Sequence, residues 1–242
     1  MSLLSRSRQI FQEKLCQNLD AGVRSHLFKV YTCMALTCAA ATAGSIVHLT
    51  GFWEAGLLSI LLQLIAIVTL ALIPNRSSNV HFRFGLLLIV GALSGHLLGL
   101  LIEQAMVVNP AFVITALLGT TLSFTWLSIA ALSAQRGSHL VLGGILSSAM
   151  TGLIIVGLAN VFFRSWLIHK WSLYAGLAVM CGFVLFDTQL IVEDIRQGSE
   201  DYVTHALKLF FCVVDIFRWL LAIMLSSGNG NRRRRPNGEH NE

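Results

Sequence analysis

Six long apolar stretches dominate this sequence of 242 residues. The hydrocarbon core of a bilayer is about 30 Å thick, and roughly 20 apolar residues cross it as a helix. A helix also satisfies its backbone hydrogen bonds internally, which lipid requires. The sequence therefore predicts an all-α fold, a polytopic membrane helical bundle with six transmembrane helices. The stretches run at about 30–50, 55–73, 84–102, 111–134, 140–163 and 171–192.

The composition excludes the other broad classes of protein. Hydrophobic residues make up 55% of the chain and charged residues 12%, whereas a soluble domain carries about 25% charged residues. The five cysteines are odd in number and show no C-x-x-C spacing, which argues against a disulfide framework or a structural zinc site. The net charge of +5 reflects a run of four arginines at 232–235, so no nucleic-acid partner is expected.

A seventh stretch, about 206–225, is apolar but carries Lys208, Asp215 and Arg218. A charge near the bilayer centre costs roughly 2.5–3.5 kcal/mol. The sequence therefore favours a seventh charged segment that is re-entrant or half-inserted, although a span facing the bundle interior stays open. Basic residues concentrate before the first stretch and predict a cytosolic N-terminus. Three regions follow, a cytosolic tail at 1–28, a membrane domain at 29–226 and a basic disordered tail at 227–242.

Two features inside the predicted spans need a physical explanation. Gly91, Gly95 and Gly99 form overlapping G-x-x-x-G motifs, which predict close helix packing. Asp187 lies about three-quarters of the way through the sixth stretch. An acid at such a position is a functional candidate by default, because it must find a partner inside the bundle. The alternative is an acid near a helix end that reaches water.

Asp215 and Arg218 are three residues apart, so one helical turn allows a local ion pair. That pair is equally compatible with a structural and a functional role. If Asp187 and Asp215 meet across two helices instead, the two acids share a proton and titrate as a unit. Such a pair is suited to sensing pH or to binding calcium, which favours clustered oxygen ligands.

Five motifs are spread along the chain: His26-Leu27-Phe28-Lys29-Val30-Tyr31, Asn109-Pro110-Ala111, Leu142-Gly143-Gly144, the block from Phe186 to Glu193 and the segment from His205 to Arg218. With these motifs the chain resembles the Bax inhibitor-1 family, also called the transmembrane Bax-inhibitor-motif family, from about residue 20 onward. The resemblance implies an endoplasmic-reticulum membrane protein of six or seven helices that suppresses programmed cell death. It also implies a pH-sensitive calcium leak and interaction with Bcl-2-type proteins.

In bacterial relatives the resemblance implies a proton-sharing pair of aspartates on the sixth and seventh helices. Asp187 matches the first aspartate, whereas Cys212 stands at the second position and Lys208 stands where relatives of this type often have an aspartate. Asp215, three residues after Cys212, either substitutes for the missing acid or leaves the sensor broken. The predicted ion- and proton-sensing residues are Asp187, Asp215, Cys212 and Arg218, with Asp187 and Asp215 as candidate calcium ligands and no resident cofactor.

The leading hypothesis is a negative regulator of programmed cell death in the endoplasmic-reticulum membrane, with or without a pH-sensitive calcium leak. The alternative is a non-conducting membrane interaction protein that binds Bcl-2-type partners or lipids. An intramembrane aspartyl protease is disfavoured because it needs a Gly-x-Gly-Asp motif, where this chain has Val213-Val214-Asp215. We therefore expect no enzymatic activity, and the sequence does not determine the oligomeric state.

Overall fold

The computed structural model describes residues 21–134 and 142–234, and all regular structure within these ranges is helical. A short 3-10 turn at Ser77–Asn79 precedes the third helix. The prediction of an all-α helical bundle is confirmed. The helices are α1 (Ala21–Leu49), α2 (Leu57–Leu72), α3 (Val80–Val108), α4 (Ala111–Ser133), α5 (Leu142–Phe163), α6 (Trp166–Arg196) and α7 (Tyr202–Arg234).

Six of the helices are long and apolar enough to cross a membrane, as the sequence predicts. The sequence disfavours the charged C-terminal segment as a full span, but the helix that is too short is another one. The short helix is α2, whose 16 residues rise only about 24 Å, whereas the charged C-terminal segment contributes a 27-residue candidate span. The structure therefore confirms the number of long spans and changes which segments form them.

The glycines Gly91, Gly95 and Gly99 of α3 pack closely against α1, and we call this line of contact the glycine seam. Its contacts show the relative direction of the two helices. A Cβ atom added at Gly91 would collide with Thr37, and one added at Gly99 would collide with His48. The residue numbers rise together along both helices, so α1 and α3 are parallel. Because the chain must return between them, α2 runs back in the opposite direction. The G-x-x-x-G prediction of close packing is confirmed.

Helix α7 runs antiparallel to α6 along the middle of the bundle. Asp187 of α6 contacts Cys212 of α7, and Asp194, two turns later on α6, lies beside His205, two turns earlier on α7. The helix is continuous and buries Leu209, Phe210, Ile216 and Leu221 completely. The prediction of a re-entrant segment is therefore wrong, and the two ends of the described chain leave opposite ends of the bundle.

The predicted region boundaries fall inside helices. Helix α1 begins at Ala21, before the boundary at 28, and α7 continues to Arg234, past the boundary at 227. Gly228 packs against Phe112 of α4, so tertiary contacts accompany α7 beyond the predicted end of the membrane domain. The remaining parts of the two predicted tails, 1–20 and 235–242, lie outside the described residues.

Candidate functional site

The candidate site is built where α6 and α7 cross. The Cys212 thiol of α7 donates a hydrogen bond to Oδ2 of Asp187, with Sγ and Oδ2 3.3 Å apart. Cys212 is buried, with 5% of its surface exposed, and Asp187 is half-buried. The adjoining Val184, Thr188 and Ile191 are completely buried on α6. Asp187 therefore faces the bundle, as the sequence predicts, and its hydrogen-bond partner is a thiol.

Lys208 lies one helical turn before Cys212 on the same face of α7. The charge of its ammonium favours the ionised carboxylate of Asp187. The thiol donor favours the same form, and both act against burial, which disfavours it. The same attraction lowers the cost of placing Lys208 in the candidate span of α7, a charge that counted against a span when the sequence was considered by itself.

Asp215 makes the local ion pair that its spacing allows. Oδ1 of Asp215 lies 2.8 Å from Nη2 of Arg218, and the arginine side chain is half exposed. Asp215 also lines a cavity of about 230 Å³ between α2, α3 and α7, together with Gln63 and Ser94. Of the two arrangements open to Asp215, the structure forms the ion pair with Arg218.

The predicted proton-sharing pair of aspartates is not formed within the described residues. Asp187 has Cys212 as its hydrogen-bond partner and Asp215 has Arg218. The charges of both acids influence the Cys212 thiol. The physical reason is the helical offset, since three residues turn Asp215 away from the face that Cys212 presents to α6.

The described residues include no group of three or more His, Cys, Asp or Glu side chains arranged to hold a metal ion. Calcium takes six to eight oxygen ligands. The two candidate calcium ligands, Asp187 and Asp215, thus do not form a closed calcium cage.

A second polar cluster lies at the end of the bundle where α3 and α7 begin. Arg83 donates two hydrogen bonds to the carboxylate of Asp201, at 2.9 and 2.8 Å, and a third to the Thr204 hydroxyl at 2.9 Å. Asp201 also caps α7 by accepting a hydrogen bond from the backbone N–H of Thr204. Burial favours a raised pKa for Asp201, but these hydrogen bonds and the charge of Arg83 hold the pKa below its ordinary value.

Next to this cluster, two histidines connect three helices. Nε2 of His26 on α1 lies 3.2 Å from Nδ1 of His205 on α7. Nε2 of His205 lies 3.5 Å from Oδ2 of Asp194 on α6. His205 is buried. At least one of the two facing nitrogens must be unprotonated for the contact to be a hydrogen bond.

Sequence reasoning missed both of these contacts. Arg83 and Asp201 are 118 residues apart and His26 and His205 are 179 apart, so no local spacing joins them. One signal was readable: Asp201 lies directly before an apolar run, which marks a helix start. That signal indicates the cap of α7 and says nothing about Arg83.

These features define a class of protein, a multi-pass helical membrane protein whose central last helix faces an acid on the helix before it. Residues 23–229 match the family model described as Inhibitor of apoptosis-promoting Bax1. The chain belongs to this family.

Three relatives illustrate how far the similarity extends. Bax inhibitor 1 of Homo sapiens is 43% identical over 208 residues, which cover 86% of this chain and 88% of that protein. Bax inhibitor 1 of Drosophila melanogaster is 38% identical and covers 89% of this chain and 88% of its own length. Bax inhibitor 1 of Arabidopsis thaliana is 35% identical, with 92% and 90% covered. The similarity therefore includes the whole helical bundle.

Proposed function

We propose that this protein is a non-enzymatic membrane suppressor of programmed cell death that resides in the endoplasmic-reticulum membrane with its N-terminus in the cytosol. The family membership and the names of the relatives support the cell-death role. Five basic residues before and within the first turns of α1 (Arg6, Arg8, Lys14, Arg24 and Lys29) support the proposed orientation. The observation that carries the mechanistic part is Asp187, an acid held inside the bundle against α7.

In the proposed mechanism, the bundle passes calcium slowly and Asp187 is the acid that the ion meets. Calcium prefers carboxylate oxygens, and the single thiol hydrogen bond leaves most of the acceptor positions of Asp187 free. Lys208 interacts with the same carboxylate, so an arriving ion competes with an ammonium. The leak is accordingly small, and neutralising Asp187 removes its ligand.

Because Cys212 stands in place of a second carboxylate, we expect the calcium leak of this chain to respond to acid differently from that of a protein with a carboxylate pair. When two neighbouring carboxylates share a proton, their repulsion raises one of the two pKa values, so that the pair titrates closer to neutral pH. A thiol in place of the second carboxylate adds no negative charge beside Asp187, so this coupling is lost. We therefore propose that the leak of this protein changes little between neutral and mildly acid pH, and that Cys212→Asp introduces a change in that range.

Calcium efflux from proteoliposomes tests this proposal. We expect wild-type protein to release loaded calcium at similar rates at acid and neutral pH, Asp187→Asn to release little, and Cys212→Asp to acquire a difference between the two pH values. Glu200→Gln, at an exposed loop acid, is the matched control and should behave like the wild type. Equal efflux from wild type, Asp187→Asn and empty liposomes would rule out the leak.

The non-conducting alternative, an interaction protein for Bcl-2-type partners or lipids, is favoured by one observation. The described residues form no calcium cage around Asp187. Survival of Bax-expressing cells distinguishes the two mechanisms. If Asp187→Asn loses calcium efflux and also loses protection, protection depends on the leak. If the variant loses efflux and keeps full protection, the interaction mechanism is correct.

A further inference from the structure

An apolar crevice lies on the side of α7 away from α6. Its volume is about 430 Å³, within the range of roughly 300–1,000 Å³ of small-molecule sites. We call it the α1–α4 crevice, because residues of α1 and α4 form its two sides and residues of α3 and α7 close its back. Side chains that line it include Cys38, Thr42, Leu98, Leu117, Val213 and Phe217.

The crevice opens sideways between α1 and α4. Across the described residues of these two helices, no Cα atom of one lies within 8 Å of a Cα atom of the other. The rings of Tyr31 and Phe124, with centroids 6.4 Å apart, bridge the helices at one end of the gap. Beside the crevice, α1 and α3 are in close contact, since a Cβ atom added at Gly95 would collide with the backbone of Ala41. Thr42 of α1 and Leu117 and Thr121 of α4 line the crevice and are exposed, so the crevice reaches the surface of the bundle between these two helices.

The lining of the crevice offers few free hydrogen-bonding groups to water. None of the described residues that line it carries a charge. The hydroxyls of Thr42, Thr120 and Thr121 donate to carbonyls of their own helices, and Ser45 does the same. Ser94 accepts a hydrogen bond from Gln63. With its hydroxyls satisfied within the protein, the crevice presents an apolar surface to an occupant.

The crevice has the depth of one leaflet. On α1 its lining runs from Cys38 to Leu49, a rise of about 16 Å. This is about half of the 30 Å hydrocarbon core. The lining of α3 and α4 reaches Met106 and Val113, near the turn between those helices. The crevice therefore extends from the bundle middle toward the end where α1 finishes and α4 begins.

We propose that the α1–α4 crevice binds an acyl chain of a bilayer lipid, which enters from the leaflet at the C-terminal end of α1. A flexible hydrocarbon chain matches the apolar lining, the leaflet depth and the lateral opening. The bound chain packs against Val213, Val214 and Phe217 of α7, directly after Cys212. Lipid binding thus stabilises the helix that carries the candidate site, independently of whether calcium passes.

Photocrosslinking in nanodiscs tests the proposal. The probe is a phosphatidylcholine with a diazirine on its acyl chain, and the full-length protein is digested and mapped after illumination. We expect crosslinks concentrated at residues 38–49 and 113–121. Thr121→Trp fills the crevice and should abolish this concentration, whereas Leu122→Trp, at the next residue, 70% exposed and outside the crevice lining, should retain it. The unfolding temperatures of both variants show whether the fold survives.

Two results would overturn the proposal. Crosslinks of wild-type protein spread over all lipid-facing helices in proportion to exposure, with α5 labelled as strongly as the crevice, would mean ordinary annular lipid. Rapid modification of Cys38 by a charged, membrane-impermeant thiol reagent would mean that water fills the crevice. We expect Cys38 to resist that reagent, and the wild-type map alone decides the question if Thr121→Trp fails to fold.

Discussion

Asp201 and Asp187 are both held by α7, but their surroundings differ. Asp201 accepts two hydrogen bonds from Arg83 and two from Thr204, which satisfies the capacity of a carboxylate. Asp187 accepts one hydrogen bond from a thiol and is influenced by the charge of one ammonium. A saturated carboxylate holds helices together, whereas an unsaturated one remains able to bind a cation or a proton. We therefore assign a structural role to Asp201 and propose a functional role for Asp187.

The largest expected effect comes from Asp201→Asn. Arg83 has only 4% of its side chain exposed, so the substitution leaves a buried guanidinium without its anion. Breaking a buried pair by removing one partner costs about 3–5 kcal/mol, and the partial exposure of Asp201 (22%) places the expected loss near the lower end. The measurement is the free energy of unfolding in detergent, with Glu200→Gln as the control. Unchanged stability would contradict the structural assignment.

Acid should weaken the same contact. The folded-state pKa of Asp201 lies below its ordinary value of 3.8 because the hydrogen bonds and charge of Arg83 outweigh burial. Above pH 3.8 the contribution to stability is fully present, and it is lost as the pH falls toward the folded-state pKa, since the unfolded chain binds the proton first. Unfolding temperatures measured from pH 7 down to pH 3 should fall more for wild type than for Asp201→Asn. Parallel curves would contradict the prediction.

A smaller effect is expected at the other acid. Cys212→Ala removes the thiol donor and should cost about 0.5–1.5 kcal/mol, the usual contribution of one hydrogen bond, because Asp187 keeps its interaction with Lys208. Cys212→Ser retains a donor and should lie closer to wild type. Unfolding in detergent measures both. A loss for Cys212→Ala as large as that for Asp201→Asn would remove the distinction between the two acids.

The sequence predicted the parts of the fold that depend on one helix at a time. It gave the long apolar stretches, the glycine seam on α3 and an acid inside the bundle at Asp187. It misassigned the charged segment because the cost of Lys208, Asp215 and Arg218 was summed for isolated charges. In the structure the charge of Lys208 is attracted to Asp187, and Asp215 pairs with Arg218, while α7 passes through the bundle as a continuous helix.

The sequence by itself determined that this protein is a helical membrane bundle with Asp187 in its sixth apolar stretch and Cys212 in its seventh. Apolarity and residue spacing are properties of a single segment, so they can be read without the tertiary structure. Only the tertiary structure decided that Asp187 meets Cys212 and not Asp215, and that Arg83 meets Asp201. These pairings depend on the rotation and the vertical register of one helix against another. Packing along the whole length of the helices fixes both, through side chains far from the site in the sequence.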